Sequence, residues 1–184
     1  ELGGTKGVVE GYEAYGPDAN GMYTVSTTSV ASVGTNNFDN LKDAVTAANN
    51  GSDKTVLLKK GIDLEESLAL GEGVVVNTQG NMITIPEGVE VTLTGGTIKN
   101  EVAAAKPAKY GVWDNDAENR TMFHVDGKLT INGGTYQTAG VHMMRVSGTA
   151  VIGGSATLEC TATQAQFSAA DNYDGAPLIS VTGK

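Results

Sequence analysis

Apolar and polar positions alternate along this chain in short bursts, and the bursts end on glycine. The fullest is Leu129-Thr-Ile-Asn-Gly-Gly-Thr-Tyr136, with two relatives, Val91-Thr-Leu-Thr-Gly-Gly-Thr-Ile98 and Val151-Ile-Gly-Gly-Ser155. Alternation with period two predicts a strand with one buried face, and paired glycines predict a corner that larger residues turn poorly. The same reading over 54–93 predicts strands at Thr55–Leu58, Ile62–Leu64, Ser67–Leu70, Val74–Val76, Met82–Ile85 and Val89–Leu93, separated by glycine corners. Strands this short suit the faces of a repeating coil better than an open sandwich.

One segment changes period. Phe38, Leu41, Val45 and Ala48 follow helical spacing, with Asn37 or Asp39 as N-cap and Asn49-Asn50-Gly51 as the stop, which predicts a short helix over 37–50. Ahead of a strand repeat, an apolar helix face would cover the first coil and block end-to-end association. An ordinary connecting helix is the plainer alternative. Before it, residues 1–29 hold two strand-like patches, Gly7-Val-Val9 and Met22-Tyr-Thr-Val25, around the turn Tyr15-Gly-Pro-Asp-Ala-Asn-Gly21. They predict a strand pair outside the repeat, an N-terminal extension or the end of a preceding module.

The repeat reappears when Phe123-His-Val-Asp-Gly127, Met144-Arg-Val-Ser-Gly148 and Ile179-Ser-Val-Thr-Gly183 are laid over one another. Val125 and Val146 lie 21 residues apart, a bare coil, whereas Val146 to Val181 takes 35 and Gly95 to Gly133 takes 38. The excess is two polar, Ala-rich insertions, about 101–121 and 161–175, of the kind that emerges at solenoid corners and builds binding faces. The third copy stops at Lys184, as if the repeat ran on beyond it. The expected architecture is therefore all-β: a right-handed parallel β-helix over 30–184, C-terminally truncated, with one N-terminal capping α-helix.

Charge and cysteine narrow the partners. Twelve basic residues stand against 21 acidic ones, a net charge of −9 with no Lys/Arg cluster, which argues against nucleic acid and anionic membranes. No apolar run approaches the roughly 20 residues of a bilayer span. Cys160 is the single cysteine, so no internal disulfide forms. Its period-two spacing from Leu158 predicts a small inward-facing hydrophobe, and Met143 and Met144 are expected to fill core or corner.

The run 30–51, then Thr55-Val-Leu-Leu-Lys-Lys60, Ile83-Thr-Ile-Pro-Glu-Gly-Val-Glu-Val-Thr-Leu93 and Leu129-Thr-Ile-Asn-Gly-Gly-Thr135 resembles the pectate-lyase-like right-handed parallel β-helix modules. These recur in large surface proteins of Gram-positive, often gut-dwelling, bacteria. Gly21-Met-Tyr-Thr-Val25 is similar to the strand that closes one such module before the next. The likeness covers most of 8–184 and implies an extracellular adhesin-like or spacer module beside adjacent modules of the same chain. It implies a fold more than an activity. The insertion at 101–121 is longer than the usual corner of these modules, and the coils here are few.

Two groups of residues carry candidate chemistry. If Val125 and Val146 point inward in register, His124 stacks beside Arg145 and Asp126 beside Ser147 on an outer face. A His, Asp and Arg there could abstract a proton and stabilise charge on a uronic-acid polymer, as pectinolytic β-helices do. Solvated strand-face residues are the plainer reading, because neither an acidic calcium cluster nor a paired Lys/Arg accompanies them. In the first insertion, Tyr110 and Trp113 flanked by Asp114 and Asp116 could stack on a sugar ring and bond its hydroxyls, unless Trp113 folds back to anchor the loop. Asp114, Asp116 and Glu118 imitate the start of a calcium loop but lack its glycine and its distant Glu. The outward Thr92, Thr94, Thr130 and Asn132 form a polar ladder of two ranks, too short for an ice-binding plane.

The expected role is a non-enzymatic module of a bacterial cell-surface protein that binds a glycan or a host surface protein and needs no cofactor. A polysaccharide lyase or hydrolase fragment, and a trimeric phage fibre or tailspike part, are the alternatives.

Overall fold

The computed structural model describes residues 12–15, 21–22, 24–27, 29–103, 120–140, 142–161 and 178–181. Among the described residues the fold is all-β apart from one short helix, and most of the strands lie in parallel sheets. Strands β1 (Tyr12–Tyr15) and β2 (Thr24–Thr27) form an antiparallel pair of their own, with Tyr12 opposite Thr27. The first of them lies later than the Gly7–Val9 patch, which falls outside the described residues.

After β3 (Ala31–Val33), β4 (Asn36–Phe38) and helix α1 (Leu41–Asn50), the chain makes repeated passes through three sheets. The first pass is β5 (Thr55–Leu58), β6 (Ile62–Asp63) and β7 (Leu68–Ala69). The second is β8 (Val75–Asn77), β9 (Ile83–Ile85) and β10 (Glu90–Thr94). The third is β11 (Thr97–Asn100), β12 (Phe123–Val125) and β13 (Lys128–Asn132). The fourth is β14 (Thr135–Thr138), β15 (Met144–Val146) and β16 (Thr149–Gly153), and a fifth begins with β17 (Thr157–Cys160) and β18 (Ile179–Val181). The first strand of each pass joins a seven-stranded sheet ordered β17-β14-β11-β8-β5-β3-β4. The second joins a five-stranded sheet, β18-β15-β12-β9-β6, and the third a four-stranded sheet, β16-β13-β10-β7.

All pairings between passes are parallel, and their register stacks like on like. Ile62, Ile83, Phe123, Met144 and Ile179 form one column, Val56, Val76, Ile98, Tyr136 and Leu158 a second, and Leu68, Leu93, Ile131 and Ile152 a third. Period-two alternation puts these columns on one face of each sheet, and the buried apolar residues of all three sheets belong to one core cluster. Met143 and Met144 are fully buried within it. Cys160 continues the inward column of Asn100 and Thr138 but is exposed, contrary to its expected burial. Its strand is the outermost of its sheet among the described residues, so no further strand covers the thiol.

The helix starts at Leu41, four residues later than the apolar spacing predicts. Asn40 is its N-cap: the side-chain oxygen accepts from the Asp43 N–H at 2.8 Å. Asn37 and Phe38, which the spacing assigns to the helix, instead lie in β4, which pairs antiparallel with β3, and half-buried Phe38 reaches the same core from a strand. Leu41, Ala44, Val45 and Ala48 form the buried face of α1, which contacts β3, β4, β5 and β7 at the N-terminal end of the sheets.

The Gly-Gly corners also stack. Gly134 has φ +90°, and a Cβ there would run into the Gly95 carbonyl oxygen of the preceding corner. Gly134→Ala is therefore expected to cost about 2 kcal/mol or more in urea unfolding, whereas Gly153→Ala, with open space around the added Cβ, should stay within about 0.5 kcal/mol.

Tyr136 is fully buried and its hydroxyl has no hydrogen-bond partner. Burial pushes its ionisation from 10.0 up to about 12. The folded state holds the neutral phenol while the unfolded chain ionises near 10, so this contribution is intact below pH 10 and is lost as the pH rises towards 12. The loss is on the order of 2–3 kcal/mol. Tyr136→Phe should flatten that alkaline fall in stability, measured as urea midpoints between pH 9 and pH 12.

Candidate functional site

Each three-residue strand of the five-stranded sheet turns only its middle residue outward, and the two-residue β6 only Asp63, so the outer face is a single file. Thr84, His124, Arg145 and Ser180 stack in direct register, with Asp63 at the N-terminal end. The sheet thus brings His124 beside Arg145 as the repeat predicts. Asp126 lies just past β12, where its Oδ1 stands 3.3 Å from His124 Nε2 and accepts a short hydrogen bond from Ser147 Oγ. The His124 side chain is 25% exposed and that of Asp126 40%, so this is a partly solvated contact worth little in stability.

Chemically, the group supplies one carboxylate, one imidazole and one guanidinium along two adjacent strands. The outward carboxylate of Asp63 stands two strands from His124, about 9–10 Å at ordinary strand spacing. Among the described residues no set of three or more His, Cys, Asp or Glu side chains could hold a metal ion. Tyr110, Trp113, Asp114, Asp116 and Glu118 lie outside the described residues.

The roots of the insertions are described, and they share a corner. Residues 101–122 connect β11 to β12 and 161–178 connect β17 to β18, so both connections leave the seven-stranded sheet and enter the five-stranded one. Between them the connection from β14 to β15 is short, so the two roots stand two strand spacings apart, about 9–10 Å. Asn100 ties the first root. Its Oδ1 accepts from Val102 N at 2.9 Å, while its Nδ2 donates to Val102 O at 3.1 Å and to Arg120 O at 3.3 Å. One buried carboxamide therefore joins both ends of the insertion. Thr78 and Thr138 are buried at the equivalent corner positions of the neighbouring passes. In the sequence, Asn100 is readable only as one more polar residue before a loop.

A second feature missed from sequence is a cleft of about 380 Å³ between the start of α1 and the β6–β7 connection. Val30, Leu41, Ile62 and Leu64 contribute its apolar side, and Asp39, Asp63, Glu65, Lys60 and the paired Lys42 and Glu66 its polar side. The run Lys60-Gly-Ile-Asp-Leu-Glu-Glu66 reads only as an alternating strand with charged outer positions; the helix that forms the opposite wall comes from 20 residues earlier.

No helix among the described residues is long and apolar enough to cross a membrane. Comparison with family models, with curated proteins and with solved structures returned no match.

Proposed function

We propose that this chain is a right-handed parallel β-helix module of a bacterial cell-surface protein, an extracellular adhesin or spacer, whose ligand is a carbohydrate or a host protein. The fixed rotation of the passes through three parallel sheets, with one core cluster common to all of them, supports closure of the sheets around that core. The right hand follows from the rule that parallel strands joined by a crossover connect in that sense.

The observation that carries the binding role is the common corner of the two insertions. A solenoid gains recognition without disturbing its core by lengthening corners, and here two corners of the same edge are lengthened, one of them pinned by Asn100. The first insertion holds the chain's single Trp, Trp113, with Tyr110, Asp114 and Asp116, which are residue types that stack on and hydrogen-bond to sugars. The outer face with His124, Asp126 and Arg145 favours a second reading, cleavage of an acidic polysaccharide.

The test is a panel of glycans and host surface proteins probed with the wild type and with Trp113→Ala. Binding to a member of the panel that falls at least about tenfold in Trp113→Ala is the expected result. Binding to none of them, or binding indifferent to Trp113, overturns the reading. Release of unsaturated products from acidic polysaccharides, abolished by Asp126→Ala, would establish the enzyme instead.

A further inference from the structure

The first pass leaves the three sheets with different edges. The seven-stranded sheet continues past β5 into the antiparallel strands β3 and β4. The four-stranded sheet finishes at β7, where the Asn49 side chain takes the outer backbone groups: its Nδ2 donates to Ala69 O at 2.9 Å and its Oδ1 accepts from Gly71 N at 2.7 Å. The five-stranded sheet finishes at β6, and among the described residues no strand lies beyond it. Ile62 N and Leu64 N donate towards β9, to Met82 O at 3.0 Å and Thr84 O at 2.7 Å. Successive residues of a parallel strand turn their backbone groups to opposite sides, so the N–H and C=O of Asp63 face away from β9. Neither meets a partner among the described residues.

The cleft of about 380 Å³ is lined by the whole run from Lys60 to Glu66 and by no residue of β9, so it lies along this open edge, with the start of α1 as its far wall. A single turn of helix takes about 400–600 Å³. A few residues of extended chain fit instead. Alternation decides which residues those are. Leu64 is buried and Ile62 half-buried, with Val30 and Leu41 beside them, whereas Asp63 and Glu65 are exposed. A strand laid beside β6 follows the same alternation. Its residues level with Ile62 and Leu64 meet the apolar side and extend the column of Ile62, Ile83 and Phe123. The residue between them stands about 5 Å, Cβ to Cβ, from Asp63. Lys42 and Glu66 pair with each other from the two walls, and Asp39 and Lys60 add one charge of each sign. Asp63 and Glu65 are therefore the excess charge of the cleft, and it is negative.

We propose that the β6 edge is a docking site for an extended segment of a partner protein, paired as a further strand of the five-stranded sheet, in which two apolar residues flank a lysine or arginine. Backbone pairing supplies the attachment, and the alternating side chains supply the selectivity. The site belongs to the first pass and stands independently of the insertions, which leave the third and the fifth.

The experiment titrates the full chain with three seven-residue fluorescent peptides: one alternating valine and lysine, one of the same composition with its valines in a block, and one alternating valine and glutamate. Fluorescence anisotropy reads binding, and amide hydrogen exchange reads its place. The alternating lysine peptide should bind at least about tenfold more tightly than either of the others, and at saturation it should slow exchange of the Asp63 amide at least about tenfold. The Leu64 amide, already bonded to Thr84 O, should change little. Asp63→Lys alters an exposed side chain on the edge; it should weaken the lysine peptide at least about tenfold and improve binding of the glutamate peptide. Absence of binding, equal binding of the two lysine peptides, binding that leaves the Asp63 amide unprotected, or binding indifferent to Asp63→Lys each overturns the proposal. An Asp63 amide protected before any peptide is added also overturns it: protection at every protein concentration means that a segment of this chain holds the edge, and protection that rises with concentration means that a second copy does.

Discussion

Every other feature of this protein depends on parallel pairing in strict register from one pass to the next. A shift of one residue would turn the column of Ile83, Phe123 and Met144 outward and the column of Thr84, His124 and Arg145 inward, burying charge and exposing apolar surface at once. Register in turn demands that the corners superpose. Gly134 lies against the Gly95 carbonyl because the corners, like the strands, stack at a separation that leaves no room for a side chain there. A stack of this kind has two ends, and each end is a row of unpaired backbone groups. At the N-terminal end α1, the β3–β4 pair and the bonds from Asn49 to Ala69 and Gly71 answer that problem for the seven- and four-stranded sheets.

What the sequence reveals of this arrangement follows from what periodicity encodes. Alternation recovers Thr55–Leu58 to the residue, and the matched Phe-His-Val and Met-Arg-Val segments predict the pairing of Val125 with Val146. It locates the corners and both insertions, because a repeat of known length makes the excess visible. It misplaces the start of α1, because Phe38 serves the core from a strand at a spacing that also suits a helix. It assigns Cys160 to the interior because direction is periodic and coverage is not.

The side chains that organise the edges are not legible at all. Asn49 bonds to backbone 20 and 22 residues away, and Asn100 to backbone 2 and 20 residues away. Nothing in a window around either residue distinguishes it from a solvated asparagine. The candidate chemistry divides in the same manner. The stacking of His124 on Arg145 and the placing of Asp126 beside Ser147 follow from the repeat, whereas the common corner of the insertions emerges only when the passes are laid upon one another.

The central claim of this account is that the three sheets close around one core. Methyl-to-methyl nuclear Overhauser contacts in the third pass test it directly, using Ile98 of β11, Val125 of β12, and Leu129 and Ile131 of β13. Closure predicts that the inward methyl groups of each of these strands contact those of both others. A pair of sheets with no such contact, for instance β11 and β13 each touching β12 but never each other, would contradict it.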